Sequence, residues 1–366
     1  MTERLRIVEV NAFHYPYRGG IENRVHNIGK RLAEKHDVIV LTSQLPDTDP
    51  RETIDGYEVL RLPSKFIGRY NPPYVSTSGL MEALKALDPD IVDFHYRWAP
   101  TYNKLARGYP GKKVFTFHNT FGEGVGITRL PSMVNDQMWK RHLKRFGKVV
   151  CISEFIRTDL IRRGLDPLKL VTVPNGVDMP DVRADIEEKD FILFVGRLVA
   201  TKGLPYLIRA MARIDSKLVI CGAGPEERHL RKLASKLGLD RKVEFAGKVS
   251  EERKSELLAS CKIFVMPSLY ESYGIAVAEA MSFGRPIVAT SVGGLPEVVK
   301  DAGLISAAKD PSDLACKIND LLLDDGRRAI MGARARTYSL KYDWDSIASK
   351  MESLYVQSIY NGHGDH

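Results

Sequence analysis

The chain has 366 residues, 44% of them hydrophobic and 27% charged. At about 150 residues per domain this suggests two domains with separate cores, and it is not the composition of a disordered chain. No uninterrupted apolar run approaches the ~18 residues of a spanning helix, and MTERLRIVEV passes from a charged start straight into a strand pattern. A secreted chain, a disulfide scaffold and an integral membrane protein are therefore not expected.

Strand patterns and helical patterns alternate. In the first half, β-rich runs occur at 5–10, 37–42, 57–62, 90–95, 113–118, 148–153 and 170–174, with helical spacing at 22–35, 77–87, 132–146 and 154–163. The pattern restarts with strands at 190–196, 217–222, 243–247, 262–267 and 286–290. Near-continuous apolar strands between helices indicate parallel sheets covered on both faces. The polar stretch MPDVRADIEEKD separates the halves. We read domains over 1–178 and 190–342 with a linker at 179–189, each domain doubly wound and Rossmann-like. Such sheets bind ligands beyond the carboxyl ends of their strands, and two of them facing each other would form a cleft. Trp344, Ile347, Met351 and Leu354 follow a 3–4 spacing, so the tail over 342–355 reads as an amphipathic helix. The final NGHGDH reads as frayed.

Net charge is +8, and it is uneven: residues 1–178 carry 27 Lys and Arg against 20 Asp and Glu, the remainder 27 against 26. Part of the excess is Lys140, Arg141, Lys144, Arg145 and Lys148, which share one side of a helix drawn over 138–148. Trp139, Leu143 and Phe146 fall opposite, with Met138 at the edge. Such a basic amphipathic helix either buries its apolar stripe in the core or docks on an anionic membrane surface or a phosphate-bearing acceptor. No nucleic-acid motif accompanies it, so no nucleic-acid partner is expected. The four cysteines, Cys151, Cys221, Cys261 and Cys316, lack metal-site spacing. They read as small buried hydrophobes in a reducing cytoplasm.

Several segments carry chemistry. GGIENRVHNI (19–28) places Gly19 and Gly20 where a helix opens, a position suited to close backbone approach and to anions, or simply to a tight turn. RLVATKG (197–203) places Arg197 and Lys202 at a strand's carboxyl end, where a guanidinium and an ammonium suit a diphosphate. ESYGIAVAE (271–279) holds Glu271 and Glu279. On one continuous helix they would be ~12 Å apart, wider than the ~5–9.5 Å of glycosidase pairs, so they suit two grips on one long polar ligand. His118 ends the strand of TFHNT. Glycine turns follow strands at CGAGPE, VPNGVD, VEFAGKV and SVGGLPE. Asp47-Thr48-Asp49 matches an Asp-x-Asp metal pattern, but its polar setting before Pro50 reads as a turn.

In this order, these segments resemble the family 4 glycosyltransferases of the GT-B fold, the "group 1" sugar transferases, over nearly the whole chain. ESYGIAVAEAMSFGRPIVAT (271–290) is the most specific element. Ser272 and Tyr273 stand where the family often has glycine and phenylalanine. The resemblance implies an α/β GT-B fold of two Rossmann-like doubly wound parallel-sheet domains facing an interdomain cleft. The first domain would bind acceptor and be completed by a C-terminal helix (343–366) returning to it; the second would bind a nucleotide diphosphate sugar. It implies that Arg197 and Lys202 hold the diphosphate, Glu271 the donor-sugar hydroxyls, and the Gly274 and Ile275 amides sugar or phosphate. Glu279 would bind the ribose and Val249 the base through its backbone. Gly19 and Gly20 would approach the donor, His118 would line the sugar site, and Asn175 would lie near the cleft.

The implied reaction retains anomeric configuration, with no metal and no cofactor beyond the nucleotide-sugar substrate (UDP- or GDP-linked). The leaving phosphate would take the acceptor proton on the same face. The acceptor is a glycan or a lipid-linked sugar at a membrane surface, or a soluble sugar. The protein is expected in the cytoplasm, at the inner membrane face if the basic helix docks. A nucleotide-sugar isomerase of this architecture and a noncatalytic nucleotide-sugar binding partner remain rival readings, and a glycosidase is disfavoured by the carboxylate spacing.

Overall fold

The apolar runs form parallel strands gathered into two compact units. In this computed structural model, which describes residues 3–67, 74–96, 98–119, 129–180 and 187–360, unit 1 is Met1–Asn175 with Trp344–His366 and unit 2 is Gly176–Asp343.

Unit 1 contains strands β1 (Arg6–Val10), β2 (Asp37–Ser43), β3 (Arg51–Ile54), β4 (Tyr57–Leu62), β5 (Ser64–Ile67), β6 (Tyr74–Thr77), β7 (Ile91–Phe94), β8 (Lys113–Phe117), β9 (Lys148–Cys151) and β10 (Leu170–Thr172). Its helices are α1 (Gly20–Leu32), α2 (Leu80–Leu87), α3 (Pro100–Gly108), α4 (Arg129–Leu143) and α5 (Glu154–Arg162). The main sheet runs β10-β9-β8-β7-β1-β2-β4-β3, with β5 and β6 paired separately. Only β3 is antiparallel to its neighbour within that sheet. Ile7, Val8 and Val10 of β1 and Val38 to Leu41 of β2 are all buried, as strands covered on both faces must be.

Unit 2 contains β11 (Lys189–Val195), β12 (Lys217–Cys221), β13 (Val243–Gly247), β14 (Cys261–Met266), β15 (Ile287–Thr290) and β16 (Gly303–Ser306). Between and after them lie α6 (Leu204–Ala210), α7 (Glu227–Lys236), α8 (Glu251–Ser260), α9 (Ile275–Ser282), α10 (Leu295–Val299), α11 (Pro311–Leu322) and α12 (Asp325–Ser339). The order β13-β12-β11-β14-β15-β16 is the doubly wound pattern, whose direction of winding reverses between its first and fourth strands. Here that switch point lies between β11 and β14. In unit 1 the corresponding reversal lies between β1 and β7.

The tail helix α13 (Trp344–Tyr360) belongs to unit 1. Its Trp344, Ile347, Met351, Leu354, Tyr355 and Ile359 share one core with Val25, Ile28 and Leu32 of α1 and with strand residues Ile7, Val40 and Ile91. Each fully buried side chain of this size contributes about 1.5–3 kcal/mol, so α13 is structural to unit 1.

Four expectations need correction or extension. The basic helix does not run to 148: α4 ends at Leu143, Phe146 N–H turns back to Leu143 O at 3.2 Å, and Lys148 opens β9 by pairing with Val114 of β8. The demand of the sheet for a strand ends the helix. Trp139, Leu143 and Phe146 are nevertheless buried, while Arg141, Lys144 and Arg145 are exposed. Cys316 is exposed on α11, unlike the three buried cysteines. The polar stretch already becomes β11 at Lys189, and most of the rest of it, like NGHGDH, lies outside the described residues. β3, β5, β6 and β16 did not stand out as strands, β3 because its residues alternate along an edge without an apolar run, β5 and β6 because they form a short separate pair. The Asp47-Thr48-Asp49 segment is a turn, closed by Thr48 Oγ1 donating to Leu45 O at 2.7 Å.

Candidate functional site

In unit 2 the loops leaving β11 and β14 flank the switch point. The amides of Leu269 and Tyr270 donate to Thr201 O at 2.7 and 3.3 Å, stitching one loop to the other. Across that seam Lys202 Nζ meets Glu271 Oε2 at 2.5 Å. Arg197 lies exposed on the loop after β11. Thus the fold brings Lys202 and Glu271 together, 69 residues apart in sequence.

Two glycines shape the Glu271 loop. Gly293 has φ +57°, and a Cβ there would collide with Glu271 O. Gly274 has φ +100°, and a Cβ would lie 2.8 Å from Leu295 Cδ2. Gly274 caps α9, so Glu271 precedes the helix and Glu279 is on it. The helical ladder begins with Val277 and Ala278 donating to Gly274 O at 2.9 and 3.0 Å. The amides of Ile275 and Ala276 come before that ladder, the arrangement that receives anions at a helix start.

Glu279 faces α8. Lys254 Nζ lies 3.3 Å from its Oε1 and 2.7 Å from Glu251 Oε2. Burial pushes the Glu279 carboxyl upward, against the opposing pull of Lys254. Burial pulls Lys254 down, but Glu279 and Glu251 outweigh it and leave the ammonium above its usual range. Val249 is half-buried just before α8. Sequence reasoning missed Lys254, because its helix EERKSELLAS shows only mixed charges.

In unit 1, Gly19 caps α1 and Gly20 begins it. Glu22 in that first turn is buried, and burial raises its carboxyl to about 7 against its own backbone bond and Asn11, whose Nδ2 donates to Oε1 at 3.1 Å. Asn175 is buried, its Oδ1 accepting from Arg24 Nη1 at 3.2 Å, while Arg24 also donates to Pro174 O at 2.6 Å. His118 follows β8 and is buried; its Nε2 lies 3.0 Å from His95 Nδ1. His95 Nε2 contacts Glu9, and Asp93 is 3.8 Å away. The Tyr355 hydroxyl of α13 reaches Glu9 Oε1 at 2.9 Å and Asp93 Oδ2 at 2.8 Å. Glu9, Asp93 and His95 bring their donor atoms together, but these atoms already bond one another, Thr116 and Tyr355. Glu9, Asp93, His95 and Arg24 were not singled out from sequence, although an acid and a histidine at a strand's end in DIVDFH were visible.

At the carboxyl ends of β2 and β4 an open depression of about 630 Å³ is lined by Gln44, Asp47, Asp49 and Phe66, among other residues that include no lysine or arginine. Among the described residues no helix is long and apolar enough to cross a membrane.

Residues 179–338 match the family described as Glycosyl transferases group 1, and residues 18–180 match Glycosyltransferase Family 4. The chain is 27% identical over 368 residues to the phosphatidylinositol N-acetylglucosaminyltransferase gpi3 subunit of Schizosaccharomyces pombe, covering 94% of this chain and 79% of that protein. Sucrose-phosphate synthase of Thermosynechococcus elongatus shares the fold with a TM-score of 0.81 at 23% identity, over 97% of this chain and 99% of the other. HepE of Anabaena, solved with UDP and glucose, has a TM-score of 0.76 at 19% identity, over 97% and 100%.

Proposed function

The chain belongs to the family 4 glycosyltransferases of the GT-B fold, and from that premise we propose that it moves a sugar from a nucleotide diphosphate sugar to an acceptor hydroxyl with retained configuration. Unit 2 holds the donor. The observation that carries this is the Lys202–Glu271 pair at the switch point of unit 2, a cation and a carboxylate at the position where such sheets take ligands.

Charge builds on the diphosphate as the sugar leaves. Lys202 and Arg197 stabilise it electrostatically, which is the main catalytic contribution. Glu271 accepts from sugar hydroxyls, the Gly274 and Ile275 amides receive sugar or phosphate oxygens, and Glu279 accepts from the ribose. Val249 meets the base through its backbone. Gly19 and Gly20 approach the donor, and His118 lies by the reacting sugar. The leaving phosphate oxygen takes the acceptor's proton on the same face, so no side chain serves as base and no metal is needed. Asn175, tied to Arg24, keeps the end of the last strand of unit 1 beside α1.

The co-crystallised UDP in HepE favours a uridine donor. A thermal-shift comparison of UDP, GDP, ADP and their sugar conjugates tests the donor site, with Glu279→Ala as control. A shift with one series, lost in the variant, supports it; equal shifts in both proteins defeat the ribose assignment.

The acceptor binds unit 1. The name of the Schizosaccharomyces pombe relative, a phosphatidylinositol N-acetylglucosaminyltransferase, favours a lipid acceptor met at the membrane, with exposed Arg141, Lys144 and Arg145 facing anionic headgroups. Co-sedimentation with liposomes checks this: binding that requires anionic lipid and weakens when the three are neutralised supports it, and binding indifferent to both removes it.

A further inference from the structure

Glu9 on β1 and Asp93 on β7 face each other in register across the switch point of unit 1, and both are buried. Thr116 donates to Asp93 through its amide at 3.1 Å and its hydroxyl at 2.7 Å. Tyr355 has one proton for the two carboxylates. Burial raises the Asp93 carboxyl, with His95 opposing, and the neighbour in contact with the pair that can carry a positive charge is His95, whose Nε2 touches Glu9.

The other nitrogen of His95 makes the arrangement informative. A charged His95 carries N–H on both ring atoms, so Nδ1–H donates to His118 Nε2 across 3.0 Å. His118 must then be neutral with its proton on Nδ1. A neutral His95 that keeps Nε2–H for Glu9 has only a lone pair at Nδ1. His118 would then have to donate from Nε2, leaving a lone pair on its own Nδ1. One proton on His95 decides whether His118 offers a ligand an N–H or a lone pair.

We infer that His95, held by Glu9 and Asp93, is a positioning residue for glycosyl transfer, keeping His118 neutral and protonated at Nδ1 so that it meets the donor sugar as a hydrogen-bond donor. This rests on the placement of His118 beside the sugar proposed above. No proton is transferred in this role. His118 donates to a sugar oxygen throughout, as a preorganised dipole.

The electrostatics agree with the geometry. Burial pulls His95 down, but Asp93 and Glu9 push harder and leave it raised, with Arg24 of α1 opposing. His118 is held well below the usual histidine range by burial, then by His95 and Arg24. Glu22 of α1 and His14 after β1 also act electrostatically on this group, and Tyr355 closes it from α13. Because Asp93 and Glu9 raise the pKa of His95, the donor state reaches further toward the alkaline side than in an ordinary histidine and is lost as pH rises through it.

The test reads ring nitrogens directly. The full chain, labelled with 15N-imidazole histidine, is examined by long-range proton–nitrogen correlation from pH 6 upward, with His118→Asn and His95→Asn assigning the signals. The expected result at pH 7 is a doubly protonated His95 and a neutral His118 protonated at Nδ1, the His118 proton moving to Nε2 as His95 loses its charge. A His118 protonated at Nε2, or charged, at pH 7 overturns the inference. No substrate is needed, so a mistaken donor or acceptor cannot imitate that failure.

Turnover supplies the second readout. His95→Asn keeps a nontitrating N–H near the Nδ1 position and is expected to retain kcat within about tenfold while losing the alkaline limb of the kcat–pH profile. His95→Leu removes the donor and is expected to lower kcat about 100-fold, with the donor KM within about twofold. Equal losses in the two variants, or an unchanged alkaline limb in the asparagine variant, count against a positioning role.

Discussion

At the switch point of unit 2, Lys202 and Glu271 keep 18% and 15% of their side chains in contact with solvent. At that of unit 1, the side chains of His95, Glu9 and Asp93 keep 2%, 1% and 0%. Water beside the first pair screens it and lets it part and form again more readily than a fully buried pair. On the proposed donor reading, an arriving diphosphate takes the lysine and sugar hydroxyls the glutamate. The buried cluster has no such freedom, because separating a desolvated charge from its partner is strongly unfavourable. On the reading proposed above, one edge exchanges partners and the other holds a protonation state. The same topology therefore supports opposite uses, decided by how far each loop lets water in.

The sharpest break between the two edges is expected from Lys202→Ala. Removing a preorganised charge from the transition state should lower kcat by about 10²–10³-fold, with melting temperature almost unchanged. Near-normal turnover would sink the assignment of Lys202 to the leaving group.

Unit 1 should respond in stability. The Glu22 carboxyl, raised to about 7 from 4.5, stabilises the fold below pH 4.5, and that contribution is lost as pH rises through 7. Urea unfolding of wild type and Glu22→Gln should diverge over this window by up to about 3 kcal/mol, wild type losing ground at the alkaline end. A difference independent of pH would mean that the carboxyl titrates normally.

Tyr355→Phe, which deprives both buried carboxylates of a donor, should cost about 1–3 kcal/mol, read by the same unfolding. The smallest effect is expected from Glu279→Gln. Stability should change by less than about 0.5 kcal/mol, while the nucleotide-induced thermal shift shrinks. A large loss of stability would move Glu279 into the structural class with Tyr355.

What could be read from sequence follows the same division. Lys202, Glu271 and Glu279 were visible because each stands in a short run with glycines whose purpose is local: a turn, a close approach, a helix start. The doubly wound order was visible because apolar strands and helices alternate. The Glu9–Asp93 pair was not, because it exists only through a register between strands 84 residues apart, and each acid sits in an apolar run that gives no hint of a partner. Tyr355 was not singled out, because it stands at the end of the tail helix beside the 3–4 series of Trp344, Ile347, Met351 and Leu354. The helix drawn over 138–148 failed for a related reason: periodicity reports which side of a helix is apolar, but not where a neighbouring strand ends it.

The route of the chain has a consequence in time. Unit 1 is interrupted after Asn175 and resumes at Trp344, with all of unit 2 between. A chain made from its N-terminus at ~5–20 residues per second exposes Glu9 and Asp93 for tens of seconds before Tyr355 exists to cover them. Unit 2 can finish folding in that interval. Unit 1 is therefore begun first but completed only after unit 2 has been made, and the histidine pair acquires its final environment when α13 docks.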